Sequence, residues 1–255
     1  MNQREYHSFS ILSVKDQAFY IKYHQTDNPN MQNYTNKYVN RRLFSSNNEK
    51  FIFYDNYNVK IYNMITGNVF NIFVSNKIVR SAALSADGSQ FIYCDDNKYL
   101  KFWNLNTLEL ITEIHLDVVI RSIDFSPDKT KIVCCCTDSS ANSHVRIYCL
   151  KSFNVLYTIE DNDITLAVFS ADSNMVATSD INGDIAVWDL PNNKMLYSYV
   201  KFNTVTNKHL SFSACGLKVA FIDVDGKYKI WDVKTGSVVK RFDLDLNNVI
   251  KLTYI

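Results

Sequence analysis

Short apolar runs separated by polar turns recur along this chain, and two of them share one ending. Ile185-Ala186-Val187-Trp188-Asp189-Leu190 and Lys229-Ile230-Trp231-Asp232-Val233 both alternate apolar and polar positions and close on Trp-Asp. Such period-two alternation predicts strands with one face turned to a core. A turn sequence stands upstream of each, in Phe169-Ser170-Ala171-Asp172 and Phe212-Ser213-Ala214-Cys215-Gly216. The frame returns at Leu84-Ser85-Ala86-Asp87-Gly88 before Trp103 and at Phe125-Ser126-Pro127-Asp128 before Tyr148. A weaker copy runs from Phe44-Ser45-Ser46-Asn47 to Tyr62. The aromatic anchors at 62, 103, 148, 188 and 231 therefore repeat about every 40 residues. The widest interval holds an evident insertion, Asp138-Ser139-Ser140-Ala141-Asn142-Ser143. Further turns at Ile65-Thr66-Gly67-Asn68 and Lys234-Thr235-Gly236-Ser237 lead into outer strands, so each unit reads as four strands.

Both ends fit the same frame. Tyr20-Ile21-Lys22-Tyr23 matches the anchor strand around Tyr62, so Tyr23 is expected to be a sixth anchor on a third strand. Val249–Ile255 matches the first strand of a unit, which the N-terminal stretch lacks. Pairing Ile250–Tyr254 with the N-terminal strands would close a ring and remove its free edges.

The period, the turn sequences and the Trp-Asp endings resemble the WD40 repeat family, over at least residues 39–242. The resemblance implies an all-β propeller, expected to have six blades of four antiparallel strands; the alternative is a piece of a seven-bladed or tandem propeller. The expected organisation is one domain over 1–255, with repeats at about 39–76, 77–117, 118–162, 163–203 and 204–246. A last blade is shared by 6–38 and 247–255. The chain departs from the family in having no Gly-His pair. The Asp usual six residues before the anchor survives only as Asp225, with Asn56, Asn97, Asn142 and Asn182 in its place. The family's buried His–Ser/Thr–Asp–Trp network is therefore expected to be missing from most blades, leaving packing to hold them.

Composition adds limits. A net charge of +1 removes the case for a generally nucleic-acid-coating or membrane-hugging surface, leaving only a local patch. No run reaches about 18 apolar residues, so no membrane-spanning helix is read, and the polar start shows no secretory signal. The expected location is intracellular, in cytoplasm or nucleus, with the six Cys as thiols. Cys134, Cys135 and Cys136 alternate across a strand and cannot share a metal, so buried apolar thiols are the reading. Only six Gly against abundant Asn suggests Asn in the positive-φ turn positions.

No nucleotide-binding, metalloprotease, hydrolase-elbow or catalytic-Cys pattern is present, so no catalytic, cofactor-binding or metal residue is assigned, no small-molecule substrate, and the chain is read as no enzyme. Arg41-Arg42 resembles the paired arginines of phosphoinositide-binding propellers, but its flanks do not reproduce that motif, and no membrane partner is assigned.

One position stands out. Four residues before the Phe or Leu ending each first strand come Asn40, Arg80, Arg121, Thr165 and Lys208, with Lys251 at the equivalent place. By the resemblance this position opens onto the top rim of the central channel, where the family binds partners. Four of the six are basic, and Arg offers bidentate contact to carboxylate or phosphate. The expectation is a non-catalytic protein-interaction scaffold that takes an acidic or phosphorylated peptide on this rim. The alternative is a component of an RNA-processing or ribosome-assembly complex, contacting RNA or ribonucleoprotein proteins. It rests on a likeness of the stretch from Arg41 to Tyr62 to the opening blade of nucleolar propellers of the small-subunit processome.

Overall fold

The computed structural model describes residues 9–14, 17–23, 41–44, 50–54, 58–63, 69–74, 77–160, 163–199, 210–213, 215–222, 228–242 and 249–254. Its strands form six antiparallel sheets in succession, the blades of a WD40-type β-propeller. Blades 1 to 5 each have four strands in chain order. Their innermost strands are Arg41–Phe44, Val79–Leu84, Val119–Phe125, Ile164–Phe169 and Leu210–Phe212. Blade 6 joins Val249–Tyr254 to Gln17–Tyr23, which in turn pairs with Phe9–Val14. The innermost strands touch in cyclic order, and Val249–Tyr254 touches both Leu210–Phe212 and Arg41–Phe44, so the ring of described strands is closed.

Blade 6 has three strands among the described residues where four are expected, and its strand order also differs from the expected one. Gln17–Tyr23 lies second from the axis, so Tyr23 stands on a second strand rather than on a third. The cause is local. Phe9–Val14 and Gln17–Tyr23 form a tight hairpin, and the edge of that hairpin left open to the last strand belongs to Gln17–Tyr23. The other five anchors do lie on third strands: Tyr62, Trp103, Tyr148, Trp188 and Trp231.

The cores lie between blades. In blade 3 the sheet is buried on both faces, so the second strand Lys131–Thr137 is a continuous apolar run. Cys134 and Cys136 face blade 2 beside Cys94, while Cys135 faces blade 4, which is the alternation that prevents a shared metal. Burial pushes the Cys136 thiol up to about 12. Cys149 is half-buried and Cys215 exposed, so the reading of all six thiols as core residues holds for four.

At the base, first and second strands are joined by one turn repeated four times. Ser85, Ser126, Ser170 and Ser213 each accept, at the hydroxyl, the amide five residues on, at 2.9, 2.9, 2.9 and 3.0 Å. The fourth turn residue has positive φ: Gly88, Lys129, Ser173 and Gly216. Asn has not replaced Gly there. Of the eight non-Gly residues with positive φ among the described residues, Asn193 alone is Asn, and Leu108 and Phe153 are among the rest. Hydrogen bonding forces these values on whatever residue stands at the position. Asn serves through its side chain instead, as where Asn104 Oδ1 accepts the amides of Asn106 and Thr107.

Burial pushes the Asp128 carboxyl up, but hydrogen bonds from Ser126 and Thr130 and the charge of Lys131 outweigh it and hold it at about 2. Asp87 is likewise held well below the usual range. Burial raises it, and bonds from Lys129, Ser85 and Ser89 prevail. Carboxyls in the unfolded chain titrate near 4, so the folded state favours the ionised form. The stability these groups contribute is complete above about pH 4 and is lost as pH falls towards about 2. The thermal midpoint is expected to fall over that window, and less steeply in Asp128→Asn. Equal slopes in the two proteins would contradict this account.

Candidate functional site

The top of the ring is the end where innermost strands begin. There, three of them carry an extra residue that the neighbouring strand does not match. Val79 pairs with Asp95 and Ser81 with Cys94, leaving Arg80 unmatched. Ile120 pairs with Cys136 and Ser122 with Cys135, leaving Arg121. Ile164 pairs with Asp180 and Leu166 with Ser179, leaving Thr165. In blade 6 Val249 pairs with Tyr23 and Leu252 with Ile21, so Ile250 and Lys251 together face Lys22. These are β-bulges, which bend a strand and re-aim the side chain they carry. The positions aligned by sequence are thus one repeated structural device at one level of the ring. Asn40, Lys208 and the Lys251 side chain lie outside the described residues.

The three described rim side chains differ. Arg80 is exposed, and its Nε donates to Asp96 Oδ1 on the neighbouring turn. Arg121 is exposed and has no acidic partner among the described residues. Thr165 is half-buried, its hydroxyl donating to the Ser179 carbonyl at 3.1 Å. The positive potential of the rim is therefore uneven. Of the two described rim arginines, Arg80 has its charge partly offset by Asp96 and Arg121 does not.

The turns around the rim contain carboxylates that a fixed offset from the anchor misses. Asp95 accepts the amides of Asn97 and Tyr99, each at 3.0 Å. Asp138 accepts those of Ser140 and Asn142 at 2.8 and 2.9 Å, and Asp180 those of Asn182 and Asp184 at 2.9 and 2.8 Å. The carboxylate opens the turn, ahead of the Asn that replaces the family's Asp. Below the rim, Arg146 donates to Asp117 at 2.8 Å. That bond holds the Asp117 carboxyl below its usual range against the opposing effect of burial.

One limb of the buried family network survives. Trp188 Nε1 donates to Thr178 Oγ1 at 3.0 Å in blade 4. The register puts Phe53, Tyr93, Cys134 and Phe221 at the matching place of blades 1, 2, 3 and 5. Trp231 Nε1 in blade 5 has no hydrogen-bond partner among the described residues. Thr178→Val keeps the shape and strands the indole N–H, so it is expected to cost about 1 kcal/mol or slightly more in chemical denaturation. A change within error would contradict a role for this bond.

Residues 78–248 match the family of eukaryotic translation initiation factor eIF2A. The chain is also 28% identical over 166 residues to human apoptotic protease-activating factor 1, a match covering 60% of this chain and 13% of that protein. It is 30% identical over 128 residues to the putative BTB/POZ domain and WD-repeat protein R61 of Acanthamoeba polyphaga mimivirus, covering 48% of this chain and 24% of that protein. The matched parts are thus a minor share of both relatives. Propellers of the WD-repeat families are generally non-catalytic and generally bind other proteins.

Proposed function

The chain belongs to the family of eukaryotic translation initiation factor eIF2A, and from that premise we propose that it is a protein-interaction scaffold of a translation-linked assembly. Its partner segment is an acidic or phosphorylated peptide docked on the top rim. The observation that carries this reading is the bulge repeated on the innermost strands, which sets Arg80 and Arg121 at one level of adjacent blades. A rigid ring holds such residues in place without an ordering cost at binding, and Arg supplies forked donors for an anion. The family name also favours the second reading, in which the propeller contacts RNA or proteins of a ribonucleoprotein particle. In either reading the chain acts inside the cell, in cytoplasm or nucleus.

Affinity purification with mass spectrometry on the full chain and on an Arg80→Glu/Arg121→Glu variant tests the proposal. The wild type is expected to recover translation-machinery proteins, and the variant to lose them by tenfold or more, since each lost charged contact is worth about 1.4 kcal/mol or more. Equal recovery of the same partners by the variant would overturn the rim assignment. Recovery that vanishes on nuclease treatment would favour RNA over protein contact.

A further inference from the structure

The outer strands of blades 2 to 5 are Glu109–His115, Val155–Ile159, Lys194–Tyr199 and Ser237–Phe242. Each carries one extra residue beside the aromatic anchor of its blade. Leu110 pairs with Trp103 and Thr112 with Phe102, leaving Ile111 unmatched. Leu156, Leu196 and Val239 are unmatched at the same place beside Tyr148, Trp188 and Trp231. All four are large and apolar, yet they are 53%, 45%, 37% and 44% exposed. The residue before each is apolar as well: Leu110, Val155, Met195 and Val238. A bulge at a sheet edge interrupts strand addition and re-aims the side chains it carries. Core packing does not require apolar side chains at such exposure.

The blades differ in the charge around this pair. The residue before it is Glu109, Asn154, Lys194 or Ser237, and the second residue after it is Glu113, Thr158, Ser198 or Arg241. Blade 2 alone among these four has an acid on both sides. Glu113 lies 3.5 Å from Lys101, while Glu109 has no cationic partner among the described residues. Leu108 extends the apolar patch. It has positive φ, as do Asn193 and Gly236 at the same place in blades 4 and 5. In blade 3 that place is taken by Phe153, which packs on Phe102 with ring centroids 4.9 Å apart. Leu108 is instead exposed, so a Leu holds a left-handed turn position that it disfavours, with little burial in return.

We propose that the outer edge of blade 2 is a docking surface for a basic amphipathic helix of another protein. This surface is separate from the rim and does not depend on it. Because its residues follow one another on a single strand, the register itself places them together. Glu109 and Glu113 bracket Leu110 and Ile111 and stand at most about 13 Å apart on an extended strand. Two turns of helix cover about 11 Å, so cations two turns apart reach both carboxylates. Apolar side chains between those cations, on the same helix face, meet Leu110 and Ile111. A helix satisfies its own backbone and needs no continuous ladder from an edge that a bulge interrupts. The two carboxylates repel phosphate groups, which disfavours nucleic acid and anionic lipid at this edge.

The test uses the full chain and a short labelled helical peptide with lysines two turns apart and leucines between them on one face. A second peptide has serine in place of leucine, and anisotropy titrations follow both. The variants are Ile111→Ser and Glu109→Lys, with Leu156→Ser as the matching change in blade 3. All three side chains are exposed, and circular dichroism confirms folding. The wild type is expected to bind the leucine peptide about tenfold more tightly than the serine peptide. Ile111→Ser and Glu109→Lys are each expected to weaken the leucine peptide by about tenfold, the usual scale for losing an interface anchor. Leu156→Ser is expected to bind as the wild type does. No preference for the leucine peptide in the wild type, or an equal loss in Leu156→Ser, overturns the proposal. Unchanged binding in either Ile111→Ser or Glu109→Lys does the same.

Discussion

Trp231→Ala is expected to destabilise the propeller by about 3–5 kcal/mol, the usual effect of emptying a large aromatic site in a core. Trp231 is fully buried between blades 4 and 5, against Val187, Val219 and Phe221, with the Tyr199 ring 5.7 Å away centroid to centroid. No hydrogen bond to its indole is lost, because none is formed among the described residues. The whole effect is therefore one of packing, in the blade where Phe221 replaces the hydroxyl that blade 4 retains as Thr178. Since domains of this kind are stable by only about 5–15 kcal/mol, the variant should lose a large part of its resistance to urea. Trp188→Ala should cost less, as that ring is half-buried. A larger loss at Trp188 than at Trp231 would show that the surviving hydrogen bond matters more than packing.

Removing residues 249–255 is expected to open the ring. The deleted strand pairs with Gln17–Tyr23 and touches the innermost strands on both sides. Its ladder hydrogen bonds, at about 1 kcal/mol each, together contribute on the order of 4 kcal/mol, and their loss leaves the inner edge of Gln17–Tyr23 unpaired. Such edges template association with other chains. The truncated protein should unfold over a broader urea range and should run as concentration-dependent oligomers in gel filtration with light scattering. A peptide of residues 249–255 added in trans should restore the monomer. A truncated chain that stays monomeric and unfolds as sharply as the full one would contradict closure by this strand.

Blades 1 to 5 are legible because each repeats two separate signals at a common spacing, an aromatic strand and a turn that opens on Ser and has Asp two residues on in blades 2, 3 and 4, Asn in blade 1 and Cys in blade 5. The Cys134–Cys136 run was legible for the same kind of reason: side chains on a strand must alternate, and they do. The hidden features break a count. A bulge adds one residue to one strand, so Arg80, Arg121 and Thr165 shift the register without leaving an apolar or polar mark of their own. Asp95, Asp138 and Asp180 stand before the position where the family's carboxylate is sought, because an Asp side chain reaches forward to amides two and four residues on. Tyr23 was misplaced because its strand resembles an anchor strand, while its place in the sheet depends on a partner at the far end of the chain. The Arg80–Asp96 contact spans a whole strand and turn, and charge composition carries no trace of it. The φ values at Leu108 and Phe153 follow from turn geometry rather than from residue preference.

The central claim is that partners meet the ring at the end where the innermost strands begin. A photo-crosslinking amino acid placed singly at positions 80, 121 and 129 addresses it directly, since Lys129 lies in a base turn at the opposite end. The account predicts partner adducts from positions 80 and 121 and none from 129. Adducts from 129, with none from 80 or 121, would contradict it.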